Sequence, residues 1–419
     1  MEVAEALSHL PGLAFFDSAS ESHAANPISI VSAAPFEIVS GHIDRDWDLL
    51  REKTNLRAGV ATADLGLPLG FAAGTVDYDS AFSFGLYDQA LYYDHRIGTW
   101  HELGELSKQI RWSSDATQPS SPAQTLDFRS QMDRETYLRI VRRAQEYIGE
   151  GDIYQVNLAH RFVSPFPGPT TDAFSFYQSL RHHSPAPCAA YLDLGGRQIL
   201  SASPESFLRI SGRRARTRPI KGTRPRRADP QADEKSLYDL LTSPKEIAEL
   251  VMITDLERND LGQVSDWGSV VVRELLAMER FEQVFHLVST VESTLRAEVD
   301  HLTAFRACFP GGSITGAPKK RAREIIAELE PAARGVYTGA IGWFGFNQES
   351  HFSIAIRTVV IEGGEAHFHV GAGIVADSVP ELEYQETLDK ASGILLAAER
   401  WPASGTTAPL TRFLHESHS

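Results

Sequence analysis

Cysteine is scarce in this chain. Of 419 residues only Cys188 and Cys308 carry a thiol, too few and too far apart for a disulfide framework or a cysteine metal site. That usage points to a reducing, cytoplasmic compartment. Neither cysteine stands in a G-x-C-x-G elbow, so a glutamine-hydrolysing cysteine triad is not expected. No apolar run of about eighteen residues occurs, and no membrane-spanning helix is expected. The opening MEVAEALSHLPGL is acidic and broken by proline, unlike a secretory signal. Positive charge is in deficit: 40 Lys and Arg against 55 Asp and Glu leave a formal net charge of −15. Such a field repels polyanions and argues against general nucleic-acid binding. Gly311 to Gly316 fit G-x-x-x-x-G, but Ala317 and Pro318 follow where a Walker loop needs Lys and Ser or Thr.

What is present is an ordinary globular composition, 42% hydrophobic and 23% charged, with length enough for a large core. Residues 1–124 form an N-terminal region in which residues 1 to about 111 mix short alternating runs (ISIVSA, FEIVSG, FSFGLYD) with turn residues and read mainly as strands. The Ser- and Pro-rich stretch Trp112 to Thr125 reads as a surface linker. Residues 125–400 form the main region. In DRETYLRIVRRAQEYIGEGD, Tyr137, Ile140, Val141, Ala144, Tyr147 and Ile148 share one helical face, with Asp133 as cap and Gly149 or Gly151 as stop. Helices are expected over PKEIAELVMITDLERND and PKKRAREIIAELE. Strands are expected over AAYLDL, RQILSAS, ESFLRI, VYTGAIGWFGF, HFSIAIRTVVI and HFHVGAGIVA. Strands outnumber helices and often follow one another directly, so the fold class reads as α+β rather than doubly wound. Residues 401–419 read as a disordered tail.

Several features carry chemistry, each with a plainer reading beside it. Ser243, Pro244 and Glu246 make a capping box, and Glu249 shares the helix face of Glu246. Glu383 and Glu386 repeat the spacing in PELEYQETLDK. Brought together, the four would offer hard oxygen ligands of the kind Mg²⁺ takes while keeping waters, although such pairs are common on solvated helices. RRARTRPIKGTRPRR holds eight basic residues in fifteen positions and no acid. It has no aromatic residue for base stacking, and Pro and Gly interrupt it, so it reads as a strand and turn aimed at a small polyanion. Inside it, Lys221 sits at a turn, where cationic neighbours would favour the loss of a proton that a nucleophilic amine needs. His286, alone in VFHLVS, is by default a core histidine. The glycine loop before PKKRAREII leads into a helix whose first N–H groups could receive an anion. Gly371 and Gly373 could bring backbone N–H groups to a carboxylate, or simply mark a bulge.

In this order, GDIYQVNLAHRF, PIKGTRPR, KEIAELVMITDLERNDLG, HLVSTVES, CFPGGSITGAPKKRAREIIAELEP, RGVYTGAIG, SIAIRTVVI, GAGIVADS and EYQETLDK resemble the chorismate-utilising enzymes over roughly residues 125–398. The N-terminal third, with FFDSAS, looks like that family's N-terminal region, where relatives bind tryptophan. The resemblance implies an α+β unit of two packed sheets with the active site in a cleft between their halves. It implies chorismate as substrate and Mg²⁺ as cofactor, held by Glu249 and Glu386, with Glu246 and Glu383 completing its shell or holding its waters. Lys221 in PIKGT, where anthranilate synthases carry PIAGT, implies the branch that aminates chorismate at C4 through a lysine adduct. Gln155 stands where isochorismate and salicylate synthases place a water-activating lysine. His286 becomes a candidate for proton transfer, and Glu246 joins it and Lys221 among the catalytic candidates. Arg357, Tyr337, Lys390, Gly371 and Gly373 would hold the enolpyruvyl carboxylate, with Thr223 and Gln155 beside the substrate. Leu250 departs from anthranilate synthases, which have histidine there. Ammonia is expected from a separate glutaminase subunit, in a heterodimer. The alternatives are anthranilate synthase chemistry and, more remotely, a non-catalytic amino-acid-sensing subunit on the same fold.

Overall fold

The structure, a computed structural model, describes residues 1–18, 28–55, 66–111, 125–166, 170–281, 284–399 and 401. Of the linker read at Trp112 to Thr125 only Thr125 is described, and the tail beyond Trp401 lies outside the described residues.

Among the described residues the strands form two large sheets. The first has 11 strands in the order Gly316–Ala317, Gln155–Pro165, Glu365–Ile374, Thr358–Glu362, Arg197–Ser203, Cys188–Asp193, Ala14–Asp17, Ile28–Ser32, Ala90–Asp94 and Thr99–Leu103, with Arg129–Ser130 beside Gln155–Pro165. The second has 10, in the order Ile220–Pro225, Val284–Thr294, Arg214–Thr217, Ser206–Ser211, Glu349–Ile354, Ala340–Gly345, Phe71–Val76, Ala81–Tyr87 and Glu37–His42, with Val271–Arg280 on the outer side of Val284–Thr294. Strands from the first 111 residues extend both sheets and share their core.

Apolar packing explains the layering. Phe71, Tyr87, Ile199, Trp343 and Val360, drawn from both sheets, form one cluster between them. Outside the first sheet, Phe176, Tyr177 and Leu180 of one helix and Ile394 of another cover Tyr191 and Leu200. Trp47 and Phe305 cover Phe84, Phe344 and Phe352 on the far side of the second. A strand covered on both faces has no polar side to show, and all of Phe71–Val76 is buried.

The Arg134–Gly149 helix forms as its periodicity predicts, with the Asp133 carboxylate accepting from Thr136 N at 2.7 Å and Gly151 beyond its end at φ +85°. Two other stretches divide. HFSIAIRTVVI, one strand by pattern, becomes Glu349–Ile354 in the second sheet and Thr358–Glu362 in the first. The break falls at Arg357, whose φ of +49° is left-handed. The chain makes the same change of sheet between Arg197–Ser203 and Ser206–Ser211, at Pro204 and Glu205.

Candidate active site

A cleft of about 630 Å³ opens where the chain passes between the sheets, and Glu205 and Arg357 both line it. Two helices close one side, Pro244–Gly262 and Pro380–Glu399. The other walls come from the Ile220–Pro225, Val284–Thr294 and Glu365–Ile374 strands.

Lys221 lies on the first of these strands and is largely covered, its Nζ donating to the Ser313 carbonyl at 3.4 Å and standing 3.7 Å from Glu249 Oε2. Thr223 and His286 are cross-strand partners, so their side chains meet, Oγ1 to Nδ1 at 2.9 Å. Burial lowers the His286 pKa, with the Gly222 carbonyl opposing and Arg357 adding, so the ring is neutral at neutral pH.

The four glutamates come together in sequence pairs, each facing a cation: Glu246 with Arg224 at 3.2 Å, Glu249 with Lys221, Glu383 with Lys245 at 2.9 Å, and Glu386 with Lys390 at 2.6 Å. Half of the predicted capping box forms. The Ser243 hydroxyl accepts from Glu246 N at 3.4 Å, but the Glu246 carboxylate turns into the cleft toward Arg224 instead of returning to Ser243. Burial raises the Glu249 carboxyl above its ordinary range, Lys221 and Lys245 opposing and Glu246 and Glu386 adding repulsion. At Glu386 burial pushes upward too, but Lys390, Lys245 and Lys221 outweigh it and the group lies low.

Among the described residues no three acidic, histidine or cysteine side chains already converge as a metal cage. The donor chemistry nonetheless fits Mg²⁺, which takes one or two carboxylates and keeps its waters. Glu246, Glu249 and Glu386 line one cleft close enough to repel one another. Glu383 Oε2 is buried and has no hydrogen-bond partner among the described residues, the state of a carboxylate short of one cationic or water contact.

Facing the cleft with the acids is a cation, Arg357. Among the described residues no carboxylate pairs with the Arg357 guanidinium, and burial alone pulls its pKa down. Tyr337 stacks on His369 with ring centroids 5.2 Å apart. A Cβ on Gly371 would lie 2.7 Å from the Leu158 carbonyl, 2.8 Å from Asn157 Oδ1 and 2.9 Å from Tyr337 Oη. Only glycine allows that approach. Lys390 Nζ donates to the Gly371 carbonyl at 3.1 Å.

Two predicted site residues stop short of the cleft wall. Glu383 is 2% exposed and held from behind by the Ser378 hydroxyl at 2.6 Å. Gln155, also 2% exposed, lies beneath Gly373, where its Nε2 would be 2.4 Å from an added Cβ. The basic stretch also needs correction. Arg213, Arg216, Arg218, Arg224 and Arg226 pair with Asp266, Glu292, Glu279, Glu246 and Asp233. Local carboxylates, not a polyanionic ligand, answer those charges, and of this stretch Lys221 and Arg224 are the cations that reach the cleft. The helix start at Lys319 turns away from the cleft, toward Asp260. The sequence reading missed Asn157, Lys245 and His369, all at the cleft. Strand alternation carried a signal for two of them: Asn157 follows Gln155 by two, and His369 precedes Gly371 by two. A second cavity, about 110 Å³, borders Asp17 and Ser18 of FFDSAS together with Trp343 and His351.

A cleft with clustered carboxylates on one side and a bare arginine on the other suits a small polycarboxylate taken with a metal ion. The chorismate binding enzyme family matches residues 43–396, and the chain belongs to that family. It is 48% identical over 272 residues to anthranilate synthase component 1 of Thermus thermophilus, a match covering 65% of this chain and 58% of that protein. It is 45% identical over 320 residues to aminodeoxychorismate synthase component 1 of Escherichia coli, covering 75% and 70%. The chain thus spans little more than half of the Thermus relative. Anthranilate synthase component I from Streptococcus pneumoniae superimposes with a TM-score of 0.76 at 30% identity, over 89% of this chain and 93% of that one. The menaquinone-specific isochorismate synthase from Escherichia coli shares the fold, with a TM-score of 0.77 at 20% identity over 95% and 91%.

Proposed function

We propose that this chain is an aminodeoxychorismate synthase component 1, which replaces the C4 hydroxyl of chorismate with an amine on the way to 4-aminobenzoate and folate. The observation that carries this reading is Lys221 Nζ, held in the cleft between the Ser313 carbonyl and Glu249. Names among the relatives divide between two aminations, and a lysine amine at this point favours the route through a covalent adduct.

Arg357, Tyr337, Lys390 and the Gly371 and Gly373 backbone hold the enolpyruvyl carboxylate. Glu249 and Glu386, with Glu246 and Glu383 behind them, would hold Mg²⁺. When bound, that ion supplies positive charge for the ring carboxylate and the departing oxygen. Lys221 sheds a proton and attacks C2, and the two ring double bonds each shift by one position. The C4–O bond breaks, and the shed proton leaves with the hydroxyl as water. Ammonia then forms the C4–N bond, the double bonds return, and the Lys221–C2 bond breaks. Two easier substitutions replace one difficult one. His286 is uncharged at neutral pH, so its part is a hydrogen bond near the departing hydroxyl, set by Thr223. Ammonia comes from a separate glutaminase subunit.

Chorismate, Mg²⁺ and an ammonium salt, with the purified chain or its Lys221→Ala variant, test the reading by mass spectrometry. The expected product is 4-amino-4-deoxychorismate, with wild-type protein trapped heavier by chorismate less water. Anthranilate as product would assign the chain to the other amination, and an unaffected Lys221→Ala would overturn the route through a lysine adduct.

A further inference from the structure

Behind Lys221 lies a second group of charges that the proposed chemistry does not use. Glu257 and Asp260 are one turn apart on the Pro244–Gly262 helix, about three turns beyond Glu246, and are only 3% and 4% exposed. Glu257 Oε1 accepts from Gly312 N at 3.1 Å, and the Thr217 hydroxyl donates to Oε2 at 3.3 Å. These partners belong to the two segments that bracket Lys221. Thr217 ends the strand just before the Lys221 strand. Gly312 immediately precedes Ser313, whose carbonyl takes the hydrogen bond from Nζ. The loop is seated without slack, since a Cβ on Gly312 would meet Leu256 Cδ2 at 2.5 Å and Glu257 Oε1 at 3.4 Å. From the other side Arg334 Nη1 donates to the Ile314 carbonyl at 3.1 Å.

We propose that Glu257 is a positioning residue for Lys221, its carboxylate tying the Thr217 strand end to the Gly312 loop and so setting the Ser313 carbonyl against Nζ. The inference rests on the reading of Lys221 as the nucleophile. A lone buried carboxylate would be a poor tie if it merely filled space, because an uncompensated charge is costly there. Here both oxygens are used, and both reach the nucleophile's neighbours.

The groups facing Glu257 make the tie sensitive to pH. They are Asp260 on its own helix, Lys319 from the Lys319–Leu329 helix, Glu205 at the crossing between sheets, and the Cys308 thiol. Lys319 is committed to Asp260 at 2.6 Å and to the Cys308 carbonyl at 3.2 Å. Burial, then Asp260, push Glu257 up to about 7, with Lys319 and the Gly312 N–H opposing. The charge on Glu257 therefore forms as pH rises through neutrality, and a charged acceptor makes the stronger bond to Gly312.

The test is steady-state amination with ammonium and chorismate across the neutral range, on wild type, Glu257→Leu, Glu257→Gln and Thr217→Val. Glu257→Leu should lower kcat on the order of 10- to 100-fold, the effect of a misplaced reacting group, with chorismate KM changed by less than about threefold. Glu257→Gln keeps an oxygen for Gly312 N and should recover most of the rate, while losing the rise in kcat near neutrality. Thr217→Val removes one tie at nearly constant volume and should cost about fivefold in kcat; it serves where Glu257→Leu does not fold. Unchanged kcat in Thr217→Val or in folded Glu257→Leu, or Glu257→Gln as slow as Glu257→Leu, overturns the inference. Failure of the underlying reading looks different: wild type itself would form no Lys221 adduct, and Lys221→Ala would match it.

Discussion

Replacing Arg357 with methionine should make the empty protein more stable while costing it the substrate. Arg357 is half-buried at the crossing between the sheets, and among the described residues no carboxylate answers its guanidinium. A fully dry unpaired ion would be penalised by several kcal/mol. The open cleft admits water, so a gain of about 1–2 kcal/mol is the reasonable expectation for methionine, which keeps the apolar stem. Arg357 is left-handed at φ +49°, and methionine carries the same backbone strain, so that contribution cancels. For a chain of 419 residues the gain should raise Tm by roughly 1–2 °C. Binding moves the other way. A carboxylate that loses a charge-assisted fork loses about 2–4 kcal/mol, which is roughly 30- to 1000-fold in affinity. Lysine would keep the charge but not the fork and should fall between. The assays are calorimetric melting without substrate and chorismate KM with saturating ammonium. A lower Tm together with an unchanged KM would refute the reasoning, since it would mean that the cation is structural and already paired.

Three further outcomes follow from the same geometry. Gly371→Ala should raise chorismate KM by about tenfold or more, because its methyl would press on the Leu158 carbonyl at 2.7 Å and on Tyr337 Oη at 2.9 Å; steady-state kinetics decide it. Glu330→Gln should destabilise the fold by about 3–5 kcal/mol in urea unfolding, because Glu330 holds the buried Arg334 through two contacts at 2.6 and 2.8 Å and also accepts from Ala159 N at 2.8 Å. Glu257, raised to about 7, and Asp260, raised by burial to about 6, retain protons that the unfolded chain has released. Their contribution is thus present at low pH and lost as pH rises through about 6 to 7. Glu257→Gln should match wild type near pH 5 and exceed it near pH 8 in thermal melts, and equal curves at both would contradict the raised pKa.

Stability and catalysis are opposed at several points in this cleft. Glu249 is raised by burial and by neighbouring carboxylates, and among the described residues Glu383 Oε2 has no partner and Arg357 no counter-ion. Each would be relieved by a ligand of opposite charge. An empty site built this way binds by releasing its own electrostatic penalty.

Local elements were legible from the residues alone. Asp133 and Ser243 cap helices where the patterns place them, because a cap and a 3.6-residue period depend only on near neighbours in sequence. The ordered motifs also indicated the family and most of the cleft: Lys221, Thr223, His286, Glu246, Glu249, Glu386, Arg357, Tyr337, Gly371, Gly373 and Lys390 all line it. What the residues could not tell was where each charge would find its partner. Arg218 meets Glu279 and Arg216 meets Glu292 through strand register, which no local pattern encodes. The same holds for depth. Gln155 and Glu383 carry the right chemistry but end behind the wall, and HFSIAIRTVVI divides between two sheets at Arg357. Sequence determined which side chains exist and which short elements they build. Only the packing of the two sheets decided which of those side chains are desolvated, paired or left facing the cleft, because those outcomes depend on contacts between residues far apart in the chain.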